Sequence, residues 1–227
     1  MPRPCSLCPR PYPFHATPHI PAMQLPHLPP EAFRKADSSP DHLFYRQPRF
    51  VTHIDDAAIA AVTATYREIV PPGGTVLDLM SSWVSHLPPE IHYGEVIGHG
   101  MNEAELAANK RLSRWFVQDL NREPTLPLTD ATFDAVCLCV SVQYLQQPVT
   151  VFQEVARVLR QGAPFVASFS NRCFPTKAVA IWQALGDGAE QQRLIGAYMK
   201  AAGFQTIENR THQPVAGDPL WTVIGRR

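Results

Sequence analysis

The sequence predicts a doubly wound α/β fold, in which helices cover both faces of a mostly parallel sheet. Segments typical of strands and segments typical of helices alternate from Asp55 to the end of the chain. The run from Phe133 to Val142 is almost continuously apolar, which is typical of a central strand buried on both faces. The chain has 227 residues, 45% of them hydrophobic, and is therefore long enough to bury one core.

The first half of the predicted domain supplies two helices and three strands. Asp55 and Asp56 suit the start of a helix that a Pro-Pro-Gly-Gly run ends. Asn102 and Glu105 have the spacing of a capping box, which predicts a second helix reaching Leu112. The predicted strands are Thr75–Leu79, Gly94–Gly98 and Trp115–Gln118.

The second half continues the alternation and finishes with two strands. The predicted helices are Val149–Leu159, closed by Gly162, then Ala178–Leu185, and Leu194–Met199, closed by Gly203. The predicted strands are Phe165–Phe169, Phe204–Glu208 and Trp221–Ile224. Because the last two strands are joined too closely for a helical crossover, we expect them to pair antiparallel.

The first 54 residues differ from this domain in composition. Ten of the 23 prolines lie in residues 1–30, which contain no acidic side chain, so we expect a disordered tail there. Met23 offers an alternative start within it. Residues 31–54, which we call the arm, are richer in aromatic and charged side chains. We predict that the arm is an ordered lid on the α/β domain of residues 55–227.

Charge and hydropathy exclude several classes of function. Lys and Arg number 20, as do Asp and Glu, and their even scatter leaves no basic stripe for nucleic acid. No apolar stretch reaches the roughly 18 residues of a membrane helix, and no signal peptide is recognisable, so we predict a cytoplasmic protein without a membrane partner. Cys5, Cys8, His15 and His19 are zinc-ligand types, but the six residues between the pairs fall short of the about twelve in a zinc finger. We therefore predict no metal site.

In a doubly wound sheet the ligand lies beyond the carboxyl ends of the strands. The residues that follow each predicted strand are therefore the first candidates for a binding site. These segments are Met80–His86, His99–Asn102, Asp119–Asn121 and Ser141–Leu145.

Four sequence motifs carry a family resemblance. Residues 76–79 read Val-Leu-Asp-Leu, and Asp119 follows Trp-Phe-Val-Gln. Residues 127–136 begin with Pro-Leu and end with Phe-Asp-Ala-Val, and residues 154–162 contain Glu-Val, Arg-Val-Leu-Arg and a closing glycine. In these motifs the chain resembles the class I S-adenosylmethionine-dependent methyltransferases, in particular their type 11-like branch acting on small molecules. The resemblance implies a Rossmann-like seven-stranded sheet of order 3-2-1-4-5-7-6, with the last strand antiparallel.

The resemblance also implies S-adenosylmethionine as cofactor and a set of residues that bind it. Asp119 falls where the family keeps an acid that hydrogen-bonds the adenine amine. The implied cofactor residues are Asp78, Met80, Ser81, Ser82, Gly100, Met101, Asn102, Asp119 and Leu120. The chain departs from the family pattern at two points: residues 80–84 read Met-Ser-Ser-Trp-Val without glycine, and Gly100 replaces the ribose-binding acid. Asn102 and Glu103 are nearby substitutes for that acid.

Further residues are candidates for the acceptor side. The predicted substrate-binding residues are Tyr45, Arg49, Gln143, Tyr144 and Arg172, and the candidate catalytic groups are His53 and Tyr144. His53 and Asp55 are either a base with its orienting group or a surface histidine and a helix cap. Arg172 pairs with an anionic substrate or forms a surface salt bridge.

Several roles stay open at this stage. Asp78 either contacts the cofactor or positions the turn after the first strand. Trp83 packs in the core or forms a wall of the pocket, and His86 is placed to meet the cofactor's carboxylate. Tyr45 and Arg49 close over the site or pack on a distant face.

The sequence thus favours an S-adenosylmethionine-dependent methyltransferase acting on a small-molecule acceptor. The alternative is a non-catalytic binding or regulatory module of the same fold, because the glycines of the cofactor turn are missing. A nicotinamide oxidoreductase has less support, since no Gly-x-Gly-x-x-Gly follows the first strand. The sequence specifies neither the acceptor nor the oligomeric state.

Overall fold

A computed structural model describes residues 28–227 of the chain. Most of the tail predicted over residues 1–30 lies outside the described residues. So do Met23 and the cysteine and histidine pairs that were considered for zinc. Within residues 28–227 no helix has the length and apolar character needed to cross a membrane.

A single seven-stranded sheet forms the centre of the structure. Its strands are Thr75–Leu79 (β1), Glu95–Gly100 (β2), Arg114–Val117 (β3), Ala135–Cys139 (β4), Pro164–Ser170 (β5), Thr206–His212 (β6) and Leu220–Arg226 (β7). The spatial order is β3-β2-β1-β4-β5-β7-β6, and β7 runs antiparallel to both of its neighbours. The predicted fold class and strand order are therefore confirmed.

Helices cover both faces of this sheet. They are Asp41–Phe44 (α1), Asp56–Ile69 (α2), Glu103–Ala108 (α3), Pro148–Val158 (α4), Ala180–Ala184 (α5) and Gly188–Ala201 (α6). Alternate residues of β1 point to opposite faces, so Val76 joins the core under α2 while Leu77 joins the core under α4 and α6. Each face thus buries its own apolar core against the sheet.

Both predicted N-terminal helix caps are present, and Gly203, with φ 95°, follows the end of α6 as predicted. Gly162 does not close α4, because the chain is already extended at Leu159 and Gly162 belongs to the turn that follows. The Asp55 carboxylate accepts the backbone N–H of Ala58 at 2.9 Å and starts α2. The Asn102 side chain accepts the backbone N–H of Glu105 at 3.1 Å and starts α3. Both helices therefore begin at the carboxyl edge of the sheet: α2 leads from this edge into β1, and α3 follows β2.

Helix α5 is slightly shorter than the predicted Ala178–Leu185, and two other elements end well before their predicted last residue. The apolar run ending at Val142 is not one strand, because Val140 has φ 51° and the chain then enters a 3₁₀ turn at Val142–Tyr144. The turn is as buried as the strand, which is why the run reads as continuous. Helix α3 stops before the predicted Leu112, because the side chain of Asn109 bonds to the carbonyl of Ser82 at 2.9 Å.

The arm crosses the carboxyl edge of the sheet. It contains a 3₁₀ turn at Pro30–Phe33 and the short helix α1, and Lys35 forms a β-bridge with Val179. The Asn102 amide donates to the carbonyls of Tyr45 and Arg46, at 2.9 and 3.1 Å. The arm therefore faces the ends of the strands and does not pack on a distant face.

Candidate functional site

A cavity of about 370 Å³ lies between the arm and the carboxyl ends of the strands. This volume falls within the range of about 300–1,000 Å³ that is usual for small-molecule sites. The residues predicted to bind the cofactor all line it: Asp78, Met80, Ser81, Ser82, Gly100, Met101, Asn102, Asp119 and Leu120. Tyr45, Arg49, His53, Tyr144 and Arg172 line it as well, whereas Gln143 does not.

The turn after β1 is held by a buried histidine. The Nδ1 atom of His99 accepts the backbone N–H of Met80 at 3.1 Å, so its Nε2–H donates to the carbonyl of Gln118 at 3.0 Å. The His99 carbonyl also accepts the N–H of Ser81 at 2.6 Å. Burial lowers the pKa of His99 to about 4, which keeps the imidazole neutral. His99 falls in one of the segments predicted to border the site, but no role was predicted for it. The strand was expected to end at Gly98, whereas His99 belongs to β2 itself.

Asp78 also holds the turn after β1, through its side chain. Its carboxylate is buried and accepts the hydroxyl hydrogens of Ser81, at 2.7 Å, and of Ser85. Burial raises the pKa of Asp78, and the two serine hydrogen bonds oppose that rise. These contacts fit the interpretation in which Asp78 positions the turn, while the residue also lines the cavity.

The clearance at Gly100 explains why no acid stands at the end of β2. A Cβ atom at this position would lie 2.5 Å from the backbone oxygen of Ser81 and 3.1 Å from a methyl carbon of Leu106. The turn after β1 therefore occupies the space that a side chain at Gly100 needs.

Glu105 supplies a carboxylate nearby that the sequence interpretation missed. It is half-buried, its Oε1 atom accepts the N–H of Arg49 at 2.7 Å, and its Oε2 atom accepts the hydroxyl of Ser82 at 2.6 Å. Glu103, proposed from the sequence as a substitute acid, is exposed and does not line the cavity. Glu105 was interpreted as a capping residue only. The useful signal was its place in the first turn of the helix after β2.

We call these residues the sheet side of the cavity: Asp78, Ser81, Ser82, Gly100, Glu105 and Asp119. Asp119 accepts the N–H of Asn121 at 3.0 Å, which tightens the turn after β3. Asn121 then donates to Asp41 at 2.9 Å and to the carbonyl of Tyr144 at 3.0 Å. Asn121 thereby connects the sheet side to the arm.

Asp41 anchors the arm through a buried group of charges. It pairs with Lys35, whose side chain is 3% exposed, and lies 3.3 Å from the ammonium of Lys177, which is fully buried. Lys177 also contacts Asp37 at 3.1 Å and the carbonyl of Ser39 at 2.7 Å. Burial opposes the ionisation of Asp41, but hydrogen bonds from Lys35 and Asn121 outweigh it and hold its pKa below the usual value.

The opposite wall of the cavity, which we call the arm side, consists of Tyr45, Arg49, His53, Tyr144 and Phe174. The Arg49 guanidinium carbon lies 5.4 Å from the ring centre of Phe174. The His53 ring meets the same phenyl ring edge-on at 5.5 Å, and Tyr144 stacks on it at 6.0 Å. His53 stands exposed at the rim, and partial burial of its imidazole lowers its pKa below the usual 6.5.

Tyr144 and Gln143 behave differently although they are adjacent. The Tyr144 hydroxyl accepts the N–H of Phe174 at 2.9 Å, and burial raises its pKa to about 12, so the phenol stays protonated. Gln143 is 1% exposed, and its side-chain amide donates to the carbonyl of Val140 at 3.0 Å. The prediction that Gln143 faces the substrate does not match this position, because successive residues of the 3₁₀ turn point in different directions and only Tyr144 lines the cavity.

Three other predicted residues have structural partners. Asp55 caps α2 and accepts the N–H of Asp218 at 2.7 Å, so it does not orient His53. Arg172 pairs with Asp218 at 2.8 Å while its side chain remains 63% exposed, as in a surface salt bridge. Trp83 neither packs in the core nor lines the cavity; its indole N–H donates to the carbonyl of Val51 at 3.0 Å and braces the arm.

The described cysteines and acids do not form a metal centre. Cys137, Cys139 and Cys173 are free, and residues 28–227 contain no group of three His, Cys, Asp or Glu side chains suited to a metal ion. Burial raises the pKa of Cys139, which lines the cavity, to about 12, so it is a neutral thiol.

Comparison with known proteins adds one sequence match and several structural ones. Residues 81–167 match the family model of a methyltransferase domain. An S-adenosylmethionine-dependent methyltransferase from Mesorhizobium loti has 16% identity and a TM-score of 0.52, over 72% of this chain and 96% of that one. No curated protein sequence matches the chain.

Two further solved structures show how different the relatives of this fold are. Phosphoethanolamine N-methyltransferase 2 from Haemonchus contortus, in complex with S-adenosylmethionine, has 12% identity and a TM-score of 0.53, over 74% of this chain and 51% of that one. The (4+2)-cyclase SpnF has 14% identity and a TM-score of 0.57, over 82% and 91%. The resemblance predicted from the sequence is confirmed: the chain matches a methyltransferase domain and has the fold of class I S-adenosylmethionine-dependent methyltransferases.

Proposed function

We propose that the chain transfers a methyl group from S-adenosylmethionine to a small-molecule acceptor. The cofactor binds on the sheet side of the cavity and the acceptor on the arm side. The observation that carries this proposal is that all the residues that the family resemblance assigns to the cofactor line one cavity. The fold alone does not specify the reaction, since a cyclase shares it.

The sheet side has the chemistry that this cofactor needs. S-adenosylmethionine offers an ammonium group, two ribose hydroxyls and an adenine amine, all of which donate hydrogen bonds to oxygen. Asp78, Glu105 and Asp119 line the cavity with carboxylates, each of which has more acceptor sites than its protein partners use. We assign the adenine amine to Asp119, the ribose hydroxyls to Glu105, and the methionine end to the turn at 80–82.

The residues of the arm side are suited to prepare an acceptor. When bound, the cofactor supplies a methyl group on a positively charged sulfur, so the protein has mainly to orient the acceptor and exclude water. Phe174 and Tyr144 give an apolar surface against which a small molecule can lie. His53 is neutral at pH 7, because its pKa is lowered, and can take the proton that the acceptor releases.

A non-catalytic module of the same fold is the second candidate, and one observation favours it. The carboxylate of Asp78 already accepts two serine hydroxyls, and the turn after β1 fills the space beside Gly100. The polar groups of the turn are therefore largely engaged with one another. A protein that kept the cavity but not the reaction would have this arrangement too.

Calorimetric titration of the full chain with S-adenosylmethionine and S-adenosylhomocysteine tests the proposal. We expect saturable binding of both compounds in the micromolar range. Glu105→Gln should weaken binding about tenfold, because a hydrogen bond to a charged group is worth roughly 1.5–3 kcal/mol. Glu103→Gln is the matched control on the same helix and should leave the affinity unchanged.

Two outcomes separate the candidates. Formation of S-adenosylhomocysteine that depends on an added acceptor supports the methyltransferase. Binding without turnover on any acceptor in a broad panel supports the non-catalytic module. Failure of both compounds to bind, in protein with a cooperative unfolding transition, contradicts the proposed cofactor site.

A further inference from the structure

Two arginines line the cavity, and their charges are balanced differently. Arg172 has a carboxylate partner, Asp218, at 2.8 Å, and the charge of Asp55 also acts on it. Arg49 has no carboxylate within 4.0 Å of its guanidinium among residues 28–227. Arg49 therefore brings to the cavity a guanidinium that forms no direct ion pair with a carboxylate of the described residues.

Aromatic rings fix the Arg49 guanidinium while leaving most of its donors unused. Its central carbon lies 4.5 Å from the ring centre of Phe44, 5.4 Å from that of Phe174 and 5.9 Å from that of Tyr45. Of the five N–H donors in a guanidinium, one is accounted for by a 2.9 Å bond from Nη2 to the carbonyl of Phe44. Cation–π contacts hold the group in place without occupying its N–H groups.

The surroundings make this position rigid as well as half-buried. Phe44 and Phe174 meet edge-to-face at 5.2 Å, and the backbone N–H of Arg49 donates to Glu105 at 2.7 Å. A half-buried cation that lines a cavity, is held in place in advance and keeps donors without a partner among the described residues is suited to pair with a planar anion.

We propose that Arg49 binds a carboxylate of the methyl acceptor, so that the substrate is a small organic acid. The inference rests on the proposed function, and it adds the chemical class of the acceptor. The carboxylate pairs with Arg49, and the body of the acid lies against Phe174 beside His53. A singly charged carboxylate suits this place better than a phosphate dianion, because Glu105 contributes a negative charge close by.

The test compares acids with their uncharged amides. Benzoate and benzamide, and the pair 4-hydroxybenzoate and 4-hydroxybenzamide, are titrated into the full chain saturated with S-adenosylhomocysteine. We expect each acid to bind about tenfold more tightly than its amide, which is the usual gain from a charge-assisted hydrogen bond. Arg49→Gln should abolish this preference, Arg49→Lys should retain part of it, and Arg172→Gln should leave it intact.

Several results would overturn the inference. One is that acids bind no better than amides, including the case in which neither binds. Another is an equal loss of preference in Arg172→Gln and Arg49→Gln. A third is that Arg49→Gln weakens S-adenosylhomocysteine as strongly as it weakens the acids, which would assign Arg49 to the cofactor's own carboxylate.

Failure of this inference is distinguishable from failure of the proposed function. S-adenosylhomocysteine is titrated first into the same protein without any acid. Binding of S-adenosylhomocysteine without acid preference leaves the methyltransferase proposal standing and removes the acidic acceptor. If the preference for acids depends on Arg49 but S-adenosylhomocysteine does not bind, the cavity holds an acid site and the methyltransferase proposal is contradicted. The thermal unfolding of each Arg49 variant establishes that the protein is folded before its binding is measured.

Discussion

On the sheet side of the cavity, polar side chains bond to the turn that they support, whereas on the arm side two titratable groups face the cavity with few partners. The Asp78 carboxylate accepts the hydroxyls of Ser81 and Ser85 through one of its oxygens, and both ring nitrogens of His99, which holds the same turn, are bonded to Met80 and Gln118. Among residues 28–227 the Arg49 side chain makes one hydrogen bond, and His53 contacts the phenyl ring of Phe174. The sheet side thus consists of side chains that bond to one another and keep spare acceptor sites on their carboxylates, whereas the arm side presents a guanidinium with spare donors.

This difference indicates what each wall does. A hydrogen bond made inside the protein fixes the position of a chain segment, so the polar groups of the sheet side determine the shape of the turn. A cation with unused donors is costly unless something else pairs with it, so the arm side determines which ligand is favourable. Changes at Asp78 and His99 should therefore affect stability first, and changes at Arg49 should affect binding first.

The largest expected effect is at the point where the arm joins the sheet. Asp41→Ala removes the carboxylate that Lys35 and the buried Lys177 share, and we expect it to lower the free energy of unfolding by about 3 kcal/mol. Urea denaturation measures the loss. The control is Glu90→Ala, which removes an exposed partner of Arg67 and should cost far less, because an ion pair in water contributes little. Similar losses in the two variants would mean that Asp41 is no anchor.

His99 should give the sheet side a characteristic response to pH. Because burial lowers its pKa from 6.5 to about 4, the folded state binds fewer protons than the unfolded state between these pH values. The stability that the neutral imidazole contributes is therefore complete above pH 6.5 and is lost as the pH falls toward 4, by up to about 3 kcal/mol.

His99→Gln tests this response by urea denaturation at several pH values. The difference in unfolding free energy between the native chain and the variant should grow as the pH rises from 4 to 6.5. His42→Gln, which replaces an exposed imidazole on α1, is the control and should leave the profile unchanged. A difference independent of pH would contradict the neutral state assigned to His99.

The smallest expected effect on stability is at Gly100, which lies against the turn after β1. Gly100→Ala would place a Cβ atom 2.5 Å from the Ser81 oxygen, so the turn must move, at a cost of about 1–3 kcal/mol. Binding of S-adenosylhomocysteine should weaken with it. Gly186→Ala is the matched control, because the nearest atom there is 3.7 Å away. If Gly100→Asp binds S-adenosylhomocysteine as tightly as the native chain or more tightly, the turn after β1 can move to make room for an acid at this position.

Much of the fold could be predicted because it depends on local patterns. The capping residues Asp55 and Asn102 and the apolar strand β1 occur where the sequence places them. The end of β4 could not be predicted, since Val140 adopts φ 51° in a run whose hydropathy does not change. Such a conformation is unfavourable for a β-branched residue and is imposed by the surrounding structure.

The candidate site was predictable only in part, for the same physical reason. Residues that follow a strand reach the ligand edge by topology, which is how Asp119 was found. His99 and Glu105 depend on contacts between segments far apart in sequence, such as Glu105 with the backbone of Arg49. No spacing rule within one segment reports a contact of this kind.

The buried charges around Lys177 also affect where ligands can enter and leave the cavity. Lifting residues 37–41 would strip a fully buried ammonium of Asp37, Ser39 and Asp41, so this root of the arm should stay closed while ligands come and go. Among the described residues, the tip of the arm is held by neutral contacts only: Phe50 and Val51 are more than half exposed, at 53% and 55%, and contact Trp83 through one edge-on ring contact and one hydrogen bond. We expect the arm to stay closed at residues 37–41 and to open at residues 50–51. Acceptor and product would then exchange past Phe50 and Val51.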